Sequence, residues 1–171
     1  MICPNCGFDN LPGSEECGGC QQDLTQLDRP MGQDRIERSL MEDPVSLLQP
    51  RTPITVRPTA TVQEAILTML NLNIGALLVV DRDGRLLGIF SERDLLLKVA
   101  GLHPSFDELP VAQFMTPSPE TVTGTDSLAF AIHKMDIGGY RHLPVLQDGL
   151  PVGMISVRDL LRHITRLCRD D

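Results

Sequence analysis

An internal repeat is the feature of this sequence that most limits its fold. Shifting the chain by 66 residues aligns Pro44-Val45 with Pro110-Val111 and Ala65-Ile66 with Ala131-Ile132. After one residue is lost in a turn the shift becomes 65, and Ser91-Glu92-Arg93-Asp94 aligns with Ser156-Val157-Arg158-Asp159. The chain is therefore a duplication preceded by a separate N-terminal segment. A copy of about sixty residues buries little apolar surface alone, so we expect the two copies to pack together.

Each copy has the pattern strand, helix, strand, strand, helix. In the first copy a capping box, Thr61 to Glu64, precedes apolar residues at helical spacing (Val62, Ala65, Ile66, Met69 and Leu70). Two apolar runs, 75–80 and 86–90, flank an Asp-Gly turn and predict a β-hairpin. Ser91 then begins a helix that Gly101 ends. The pattern predicts a mixed α/β fold of the α+β kind.

Charge and cysteine content narrow the cellular setting. The net charge is −8, and residues 1–24 contain no Lys or Arg, which disfavours nucleic acid as a partner. The chain has no run of eighteen apolar residues and does not begin with a basic and apolar leader, so we expect a cytoplasmic protein that does not enter a membrane. In a reducing compartment cysteines bind metals more often than they form disulfides.

Four N-terminal cysteines form two C-x2-C knuckles, Cys3 with Cys6 and Cys17 with Cys20. Each knuckle presents two thiolates to one ion, and two knuckles complete a closed tetrahedral site suited to structural Zn²⁺. The few apolar residues nearby cannot form a core, so metal has to organise this segment. Two disulfides, a redox thiol pair, and iron in the same four sulfurs are the alternatives.

Two further segments carry weaker expectations. Residues 25–43 are polar and charged, which indicates a linker with a short helix around Ile36 to Met41. Cys168 shares a helical face with Leu160, Leu161, Ile164 and Leu167, which predicts a buried core or interface thiol.

The stretch from about Pro44 to Cys168 closely resembles a tandem CBS domain pair. The resemblance lies in Met115-Thr116-Pro117, the Glu-Ala-Ile-x-x-Met helix, and the related motifs Gly-Ile-Phe-Ser-Glu-Arg-Asp and Gly-Met-Ile-Ser-Val-Arg-Asp. It implies two β-α-β-β-α repeats packed as a pseudo-twofold pair. The N-terminal cysteines are similar to those of small zinc ribbons. The expected organisation is a zinc ribbon at 1–24, a linker at 25–43, and CBS-like repeats at 44–108 and 109–171.

The Ser-x-x-Asp sequence of each copy has two interpretations. A Ser at the N-cap with an Asp three residues on is a common capping arrangement, worth about 1 kcal/mol. In a CBS-like pair, the resemblance implies instead that the carboxylate binds a ribose diol and that the helix N-terminus faces a phosphate or sugar oxygen. Gly88 and Gly153 are then expected to let the ligand approach the backbone.

The same resemblance implies two unequal pockets. The stronger one combines Asp159, Ser156 and His142 with the entering segment of the first copy, Thr52, Pro53 and Ile54. Arg141 and His142 offer charge-assisted donors to a phosphate, whereas the first copy has Gly75 and Ala76 there. The second pocket combines Asp94 and Ser91 with Ser118 and Pro119, borrows Arg141, and has Glu120 where the first has Ile54. Arg93 and Arg158 are expected on exposed helix faces, paired with nearby acids.

These expectations favour a regulatory protein that senses an adenine nucleotide of the AMP, ADP or ATP class, or another adenosyl ligand. A homodimer follows from the resemblance, and the acidic zinc ribbon is expected to contact a protein partner. The alternative is a constitutive adaptor that keeps the fold and binds no nucleotide. An enzyme is disfavoured because the sequence shows no P-loop and no Ser-His-Asp or Cys-His set.

Overall fold

The computed structural model describes residues 2–11, 13–24, 34–101 and 105–169. It divides the chain into two compact units, Met1–Asp34 and Arg35–Asp171. The first part of the predicted linker, residues 25–33, lies outside the described residues, as do residues 102–104 and 170–171 of the predicted repeats. Among the described helices, none combines the length and apolar character needed to cross a membrane.

The C-terminal unit contains the predicted elements of both copies. The first copy comprises β1 (Thr55–Val56), α2 (Val62–Leu72), β2 (Ala76–Val80), β3 (Leu86–Ser91) and α3 (Glu92–Asp94), which continues as a π-helix (Leu95–Val99). The second comprises β5 (Val122–Thr123), α4 (Leu128–Gly138), β6 (His142–Gln147), β7 (Leu150–Ser156) and α5 (Val157–Arg169). Further elements are α1 (Arg35–Glu42), β4 (Thr116–Pro117) and two 3-10 helices (Val45–Leu48 and Val111–Gln113).

The strands form two small sheets, one for each copy. The order β1-β2-β3-β4 makes the first sheet and β5-β6-β7 the second. In each copy the short first strand runs parallel to the second, and the second and third form an antiparallel hairpin. The predicted capping box is present, because the Thr61 side chain accepts from the N–H of Glu64 and the Glu64 carboxylate accepts from that of Thr61. The α+β architecture predicted from the repeat is thus confirmed.

Each copy buries the first residues of the other copy. Val45, at the start of the first copy, is fully buried in the core of the second, and its N–H donates to the carbonyl of Asp126 at 2.8 Å. Val111, at the start of the second copy, is fully buried in the core of the first, and its N–H donates to the carbonyl of Ala60 at 2.8 Å. This exchange ties the copies together, so the unit of packing is offset from the unit of sequence repetition.

A third apolar cluster joins the two sheets. Ala76, Leu78, Val80 and Ile89 are buried there against Met154 of β7. Because residues of β2 and β3 point alternately to opposite faces, the first sheet buries one face under α2 and the other toward the second copy. This two-sided burial accounts for the uninterrupted apolar run at 76–80.

The ends of the unit differ in part from the predictions. The short helix predicted around Ile36 to Met41 is present as α1, which contacts α4 and α5. Cys168 is exposed in the last turn of α5, so it is not a core thiol, and the alternative of an interface thiol stays a prediction. On the face predicted to be apolar, Leu160 is buried, Ile164 and Leu167 are half-buried, and Leu161 is exposed.

Candidate functional site

The four N-terminal cysteines converge in the first unit. The Cys3 and Cys20 Sγ atoms lie 3.7 Å apart and those of Cys6 and Cys17 lie 3.5 Å apart. All four sulfurs lie within 4.8 Å of one another, and all four are free thiols. Tetrahedral thiolates at about 2.3 Å from Zn²⁺ stand about 3.8 Å apart. The cluster therefore fits one metal ion, and two disulfides do not describe it.

The backbone around Cys17 favours its thiolate. Burial raises the pKa of this thiol, but the N–H groups of Cys20 and Gly19 and the amide of Asn10 outweigh burial and lower the pKa to about 6. The Gly19 N–H lies 3.3 Å from the Cys17 sulfur, as expected for a knuckle in which N–H groups face the metal ligands. Asn10 is itself buried, and its side chain holds Gly18 as well.

Cys6 shows why four thiolates need a cation. The N–H of Phe8 lowers the pKa of Cys6, but the neighbouring thiols and burial together raise it to about 12. One group in the cluster thus loses its proton easily while another keeps it, because thiolates at this spacing repel one another. A bound divalent ion removes that repulsion.

The Ser-x-x-Asp sequences form the same local structure in both copies. In the first copy, one oxygen of Asp94 (Oδ2) accepts from the N–H and hydroxyl of Ser91, at 3.0 and 2.6 Å. In the second, Oδ2 of Asp159 accepts from the N–H and hydroxyl of Ser156, at 2.9 and 2.6 Å. One carboxylate oxygen of each Asp, Oδ2, therefore makes the capping hydrogen bonds. The partners of the second oxygen, Oδ1, determine whether the Asp can also bind a ligand.

At Asp159 the second oxygen faces a partly open space. The group nearest to Oδ1 is the guanidinium of Arg162, at 3.5 Å, and the side chains of Asp159 and Arg162 are 23% and 50% exposed. A surface pair of this length contributes little to stability and can give way to a ligand. Asp159 therefore offers an acceptor to an incoming hydroxyl.

The entering segment of the first copy reaches β7 just before Ser156. The N–H of Met154 donates to the carbonyl of Arg51 at 3.0 Å, and Met154 and Ser156 lie on the same face of the strand. From there the segment runs through Thr52, Pro53 and Ile54 to β2, where the Ile54 carbonyl accepts from Leu78 at 3.0 Å. The structure thus places Thr52, Pro53 and Ile54 in the segment that leads from β7, just before Ser156, to β2.

The corresponding segment of the second copy lies beside β3. Pro117 is in register with Gly88, and the N–H of Ser118 donates to Leu87 at 3.0 Å. Ser118 is exposed with a left-handed backbone, φ 45°, and Pro119 is half-buried. Glu120, which follows, pairs with Lys134 at 2.8 Å. Its charge is thus balanced by Lys134.

His142 joins the two copies at the strand end. It is in register with Ser156, and a Cβ placed on Gly75 of the first copy would lie 3.4 Å from its ring. Burial lowers the pKa of His142, against the raising effect of the Glu92 and Asp159 carboxylates. This lowering favours the neutral imidazole in the ligand-free chain, and the role of His142 as a donor to a phosphate stays a prediction. Arg141 is exposed and remains available as a cation.

The lowered pKa of His142 predicts a dependence of stability on pH. Protonation favours the unfolded chain, whose histidines titrate near 6.5. The free energy of unfolding is thus largest above about pH 6.5 and decreases as the pH falls below it. We expect Tm to fall less between about pH 7 and 5.5 in His142→Gln than in the wild type. His133→Gln, a change at an exposed position of α4, is the control, and identical slopes in all three proteins would contradict the assignment.

Arg93 contacts the second copy. Its guanidinium donates to the carbonyl of Gly139 at 2.7 Å, at the C-terminal end of α4. A cation there also interacts favourably with the helix dipole. The exposed positions expected for Arg93 and Arg158 are confirmed, but the described partner of Arg93 is this carbonyl and not a neighbouring acid.

Gly88 and Gly153 lie directly against the entering segments. A Cβ on Gly153 would lie 2.6 Å from the Pro50 Cβ, and one on Gly88 would lie 2.5 Å from the Met115 sulfur and 2.9 Å from the Thr116 carbonyl oxygen. Both glycines thus let an entering segment lie against the strand. Their predicted role beside a ligand stays a prediction.

A cavity of about 530 Å³ lies at the opposite end of the second sheet. The side chains predicted to bind the ligand do not line it, although Gly153 does. In the first copy the aligned position of Thr123 is Arg57, whose guanidinium donates to the carbonyl of Asp81. The shorter Thr123 leaves space in the second copy, which accounts for the cavity.

Comparison with known proteins places this architecture in one family. The CBS domain family model matches residues 40–101 and 111–166. A protein of Acidianus ambivalens described as an uncharacterized 17.7 kDa protein is 34% identical over 125 residues, which cover 72% of this chain and 74% of that protein. CBSCBSPB1 of Arabidopsis thaliana is 30% identical over 141 residues, which cover 82% of this chain and 25% of that protein. This chain thus spans a quarter of the length of that relative.

A solved structure extends the likeness to a ligand complex. The CBS domain protein PAE2072 of Pyrobaculum aerophilum, complexed with AMP, is 31% identical to this chain with a TM-score of 0.65, and the match covers 75% of this chain and 99% of that protein. CBS domain proteins are in general regulatory and not catalytic. This chain belongs to the CBS domain family and carries two CBS domains in tandem.

Proposed function

We propose that the CBS pair senses an adenine nucleotide or another adenosyl ligand and passes the signal to a protein partner. The observation that carries this proposal is the open second oxygen of Asp159, beside the entering segment of the first copy. The AMP complex of the P. aerophilum relative supports an adenosyl ligand. On this proposal the chain is a cytoplasmic regulatory protein and not an enzyme.

In the proposed complex the ribose hydroxyls donate to Asp159, whose other oxygen stays bonded to Ser156. The phosphate lies toward Arg141, which is exposed, and toward His142. His142 donates either as a neutral imidazole or as an imidazolium, because a nearby phosphate raises the pKa that burial has lowered. Thr52, Pro53 and Ile54 border the base. Ser91, Asp94, Ser118 and Pro119 form the second, weaker candidate position.

The N-terminal unit is proposed to be a zinc ribbon. Cys3, Cys6, Cys17 and Cys20 hold one structural Zn²⁺, which supplies the stability that the small apolar core of this unit lacks. Its side chains Ile2 and Leu11 are exposed, and its acidic residues repel polyanions. We therefore assign it contact with a protein partner and exclude nucleic acid.

A route for the signal exists within the C-terminal unit. Asp159 lies in the first turn of α5, and His163 of the next turn forms a hydrogen bond of 2.7 Å with the buried Ser39 of α1. The N-terminal end of α1 follows directly on the N-terminal unit. A shift of α5 on ligand binding therefore moves α1. Any response requires that the ligand bind two states with different affinity.

A constitutive adaptor is the alternative function. Exposed apolar side chains on two helices, Leu70 on α2 and Ile137 on α4, favour assembly with another chain. A homodimer buries such residues in either function. The two functions differ in whether the Asp159 position binds a nucleotide.

A melting experiment distinguishes them. Purified chain is heated with AMP, ADP, ATP or S-adenosylmethionine in turn. A ligand at ten times its Kd stabilises the folded chain by about 1.4 kcal/mol, which raises Tm by about 3–6 °C. We expect a saturable shift with at least one ligand, lost in Asp159→Ala and kept in Asp136→Ala, which removes an exposed carboxylate of α4. No shift with all four at millimolar concentration would refute sensing and favour the adaptor.

A further inference from the structure

Both carboxylate oxygens of Asp94 already accept hydrogen bonds from other groups of the chain. Asp94 is only 6% exposed, and its Oδ2 accepts from Ser91 alone. Its Oδ1 accepts from the Thr116 hydroxyl at 2.8 Å and from the Lys98 ammonium at 2.6 Å. A carboxylate has about four acceptor positions, so four donors occupy them all. The side chain that aligns with the open Asp159 thus has no acceptor left for a ribose.

Lys98 is as fully engaged as Asp94. Its ammonium has three N–H donors, and they reach Asp94, the Thr116 hydroxyl at 3.1 Å and the Phe114 carbonyl at 3.0 Å. Thr116 and Phe114 belong to the segment that enters the second copy. Asp94, Lys98 and Thr116, here named the Lys98 clasp, therefore fix the last helix of the first copy to that segment.

The second copy lacks the residues that form the clasp. The position aligned with Thr116 is Pro50, which has no hydroxyl, and the position aligned with Lys98 is His163, which bonds to Ser39. Copies with the same Ser-x-x-Asp frame thus differ in what reaches the second oxygen of the Asp. One is closed by two neighbouring side chains and the other is open.

We infer that Lys98 and Thr116 fill the ribose position of the first copy, so that each chain takes one adenosyl ligand, at Asp159. To bind at Asp94, a ribose would have to displace an ammonium and a hydroxyl from a buried carboxylate and leave both without their acceptor. This inference rests on the proposed function for the identity of the ligand. The clasp itself rests on contacts within the chain.

The clasp is tested first without any ligand. Lys98→Met keeps the length of the side chain and removes its charge, and we expect it to lower Tm by about 3–6 °C. Arg162→Met, the matched change at the open position, is expected to leave Tm within about 1 °C because that pair is half-exposed and 3.5 Å long. Lys98→Met combined with Asp94→Asn should lower Tm by less than the sum of the two single changes. Thr116→Val serves in place of Asp94→Asn if that variant does not fold.

An unchanged Tm in Lys98→Met, or strict additivity, would overturn the clasp. Calorimetric titration with AMP then tests occupancy. We expect one AMP per chain in the wild type and in Thr116→Val, with affinities within about twofold. Two equivalent sites per chain would overturn the inference. Absence of AMP binding, with a coupled Lys98–Asp94 pair, would sink the proposed function while supporting the clasp.

Discussion

Cys17→Ser is expected to unfold the N-terminal unit and to leave residues 35–169 folded. The buried core of this unit consists of Cys3, Cys17 and Leu24, two of which are metal ligands in the proposed site. Structural zinc in such small units contributes on the order of 10–16 kcal/mol, far more than a core of this size supplies. Loss of one thiolate, or removal of the metal by a chelator, therefore removes most of the stability of the unit.

Metal content and proteolysis measure this effect together. Wild-type chain should carry one zinc ion per molecule by elemental analysis, and Cys17→Ser should carry none and be cut within residues 1–34. Cys168→Ser is the control, since this exposed thiol lies in α5 of the other unit. If the wild-type chain carries no stoichiometric zinc and its first unit still resists the protease, the zinc assignment is wrong. Stoichiometric iron in place of zinc would identify the bound metal as iron.

Gly88→Val is expected to cause the largest loss of stability in the CBS pair. Even the first carbon of a side chain at this position would lie 2.9 Å from the backbone oxygen of Thr116, which cannot rotate away. The entering segment would have to leave β3, with loss of the register between Gly88 and Pro117. Overpacking of this kind costs about 3 kcal/mol, which lowers Tm by about 6–12 °C.

Gly124→Ala is the matched control. A Cβ there would meet only the Ser46 Cβ, at 3.7 Å, an ordinary contact. We expect the melting temperature of this variant to lie within about 2 °C of the wild type, because loss of glycine flexibility offsets small packing changes. Equal Tm values for Gly88→Val and Gly124→Ala would show that the entering segment does not hold the first copy to the second.

The fold could be predicted from the sequence because the motifs that indicate it are local and repeated. Capping by Thr61 and Glu64, the Asp-Gly hairpin and the cysteine knuckles depend on neighbours a few residues away, and the structure confirms each. Because the pattern of strands and helices occurs twice, the sequence also predicts that the two copies pack together. Such features follow from spacing alone.

The Lys98 clasp could not be read from the sequence, because its members come from different copies. Lys98 lies on the last helix of the first copy and Thr116 in the segment entering the second, and the exchange of these segments brings them together. The same exchange explains the close packing at Gly88, which the sequence did not predict. The sequence offered one indirect sign, the change from Thr116 to Pro50 at aligned positions.

The lowered pKa of His142 could not be predicted for a different reason. Sequence position indicated a donor at a strand end, but the pKa is lowered by burial, to which packing near Gly75 of the other copy contributes, while the Glu92 carboxylate acts in the opposite direction. Exposure of Cys168 has a similar origin, since the extent of α5 that α1 and α4 cover depends on how the helices pack. Tertiary contacts, and not local pattern, decide both properties.

A crystal structure of the chain with AMP would show directly where the ligand binds. We expect one AMP per chain, with its ribose hydroxyls on Oδ1 of Asp159, its base beside Thr52 to Ile54, and the Lys98–Asp94 pair intact. AMP on Asp94 with Lys98 displaced would overturn the assignment of the ligand to Asp159, as would AMP bound only in the cavity beside Thr123.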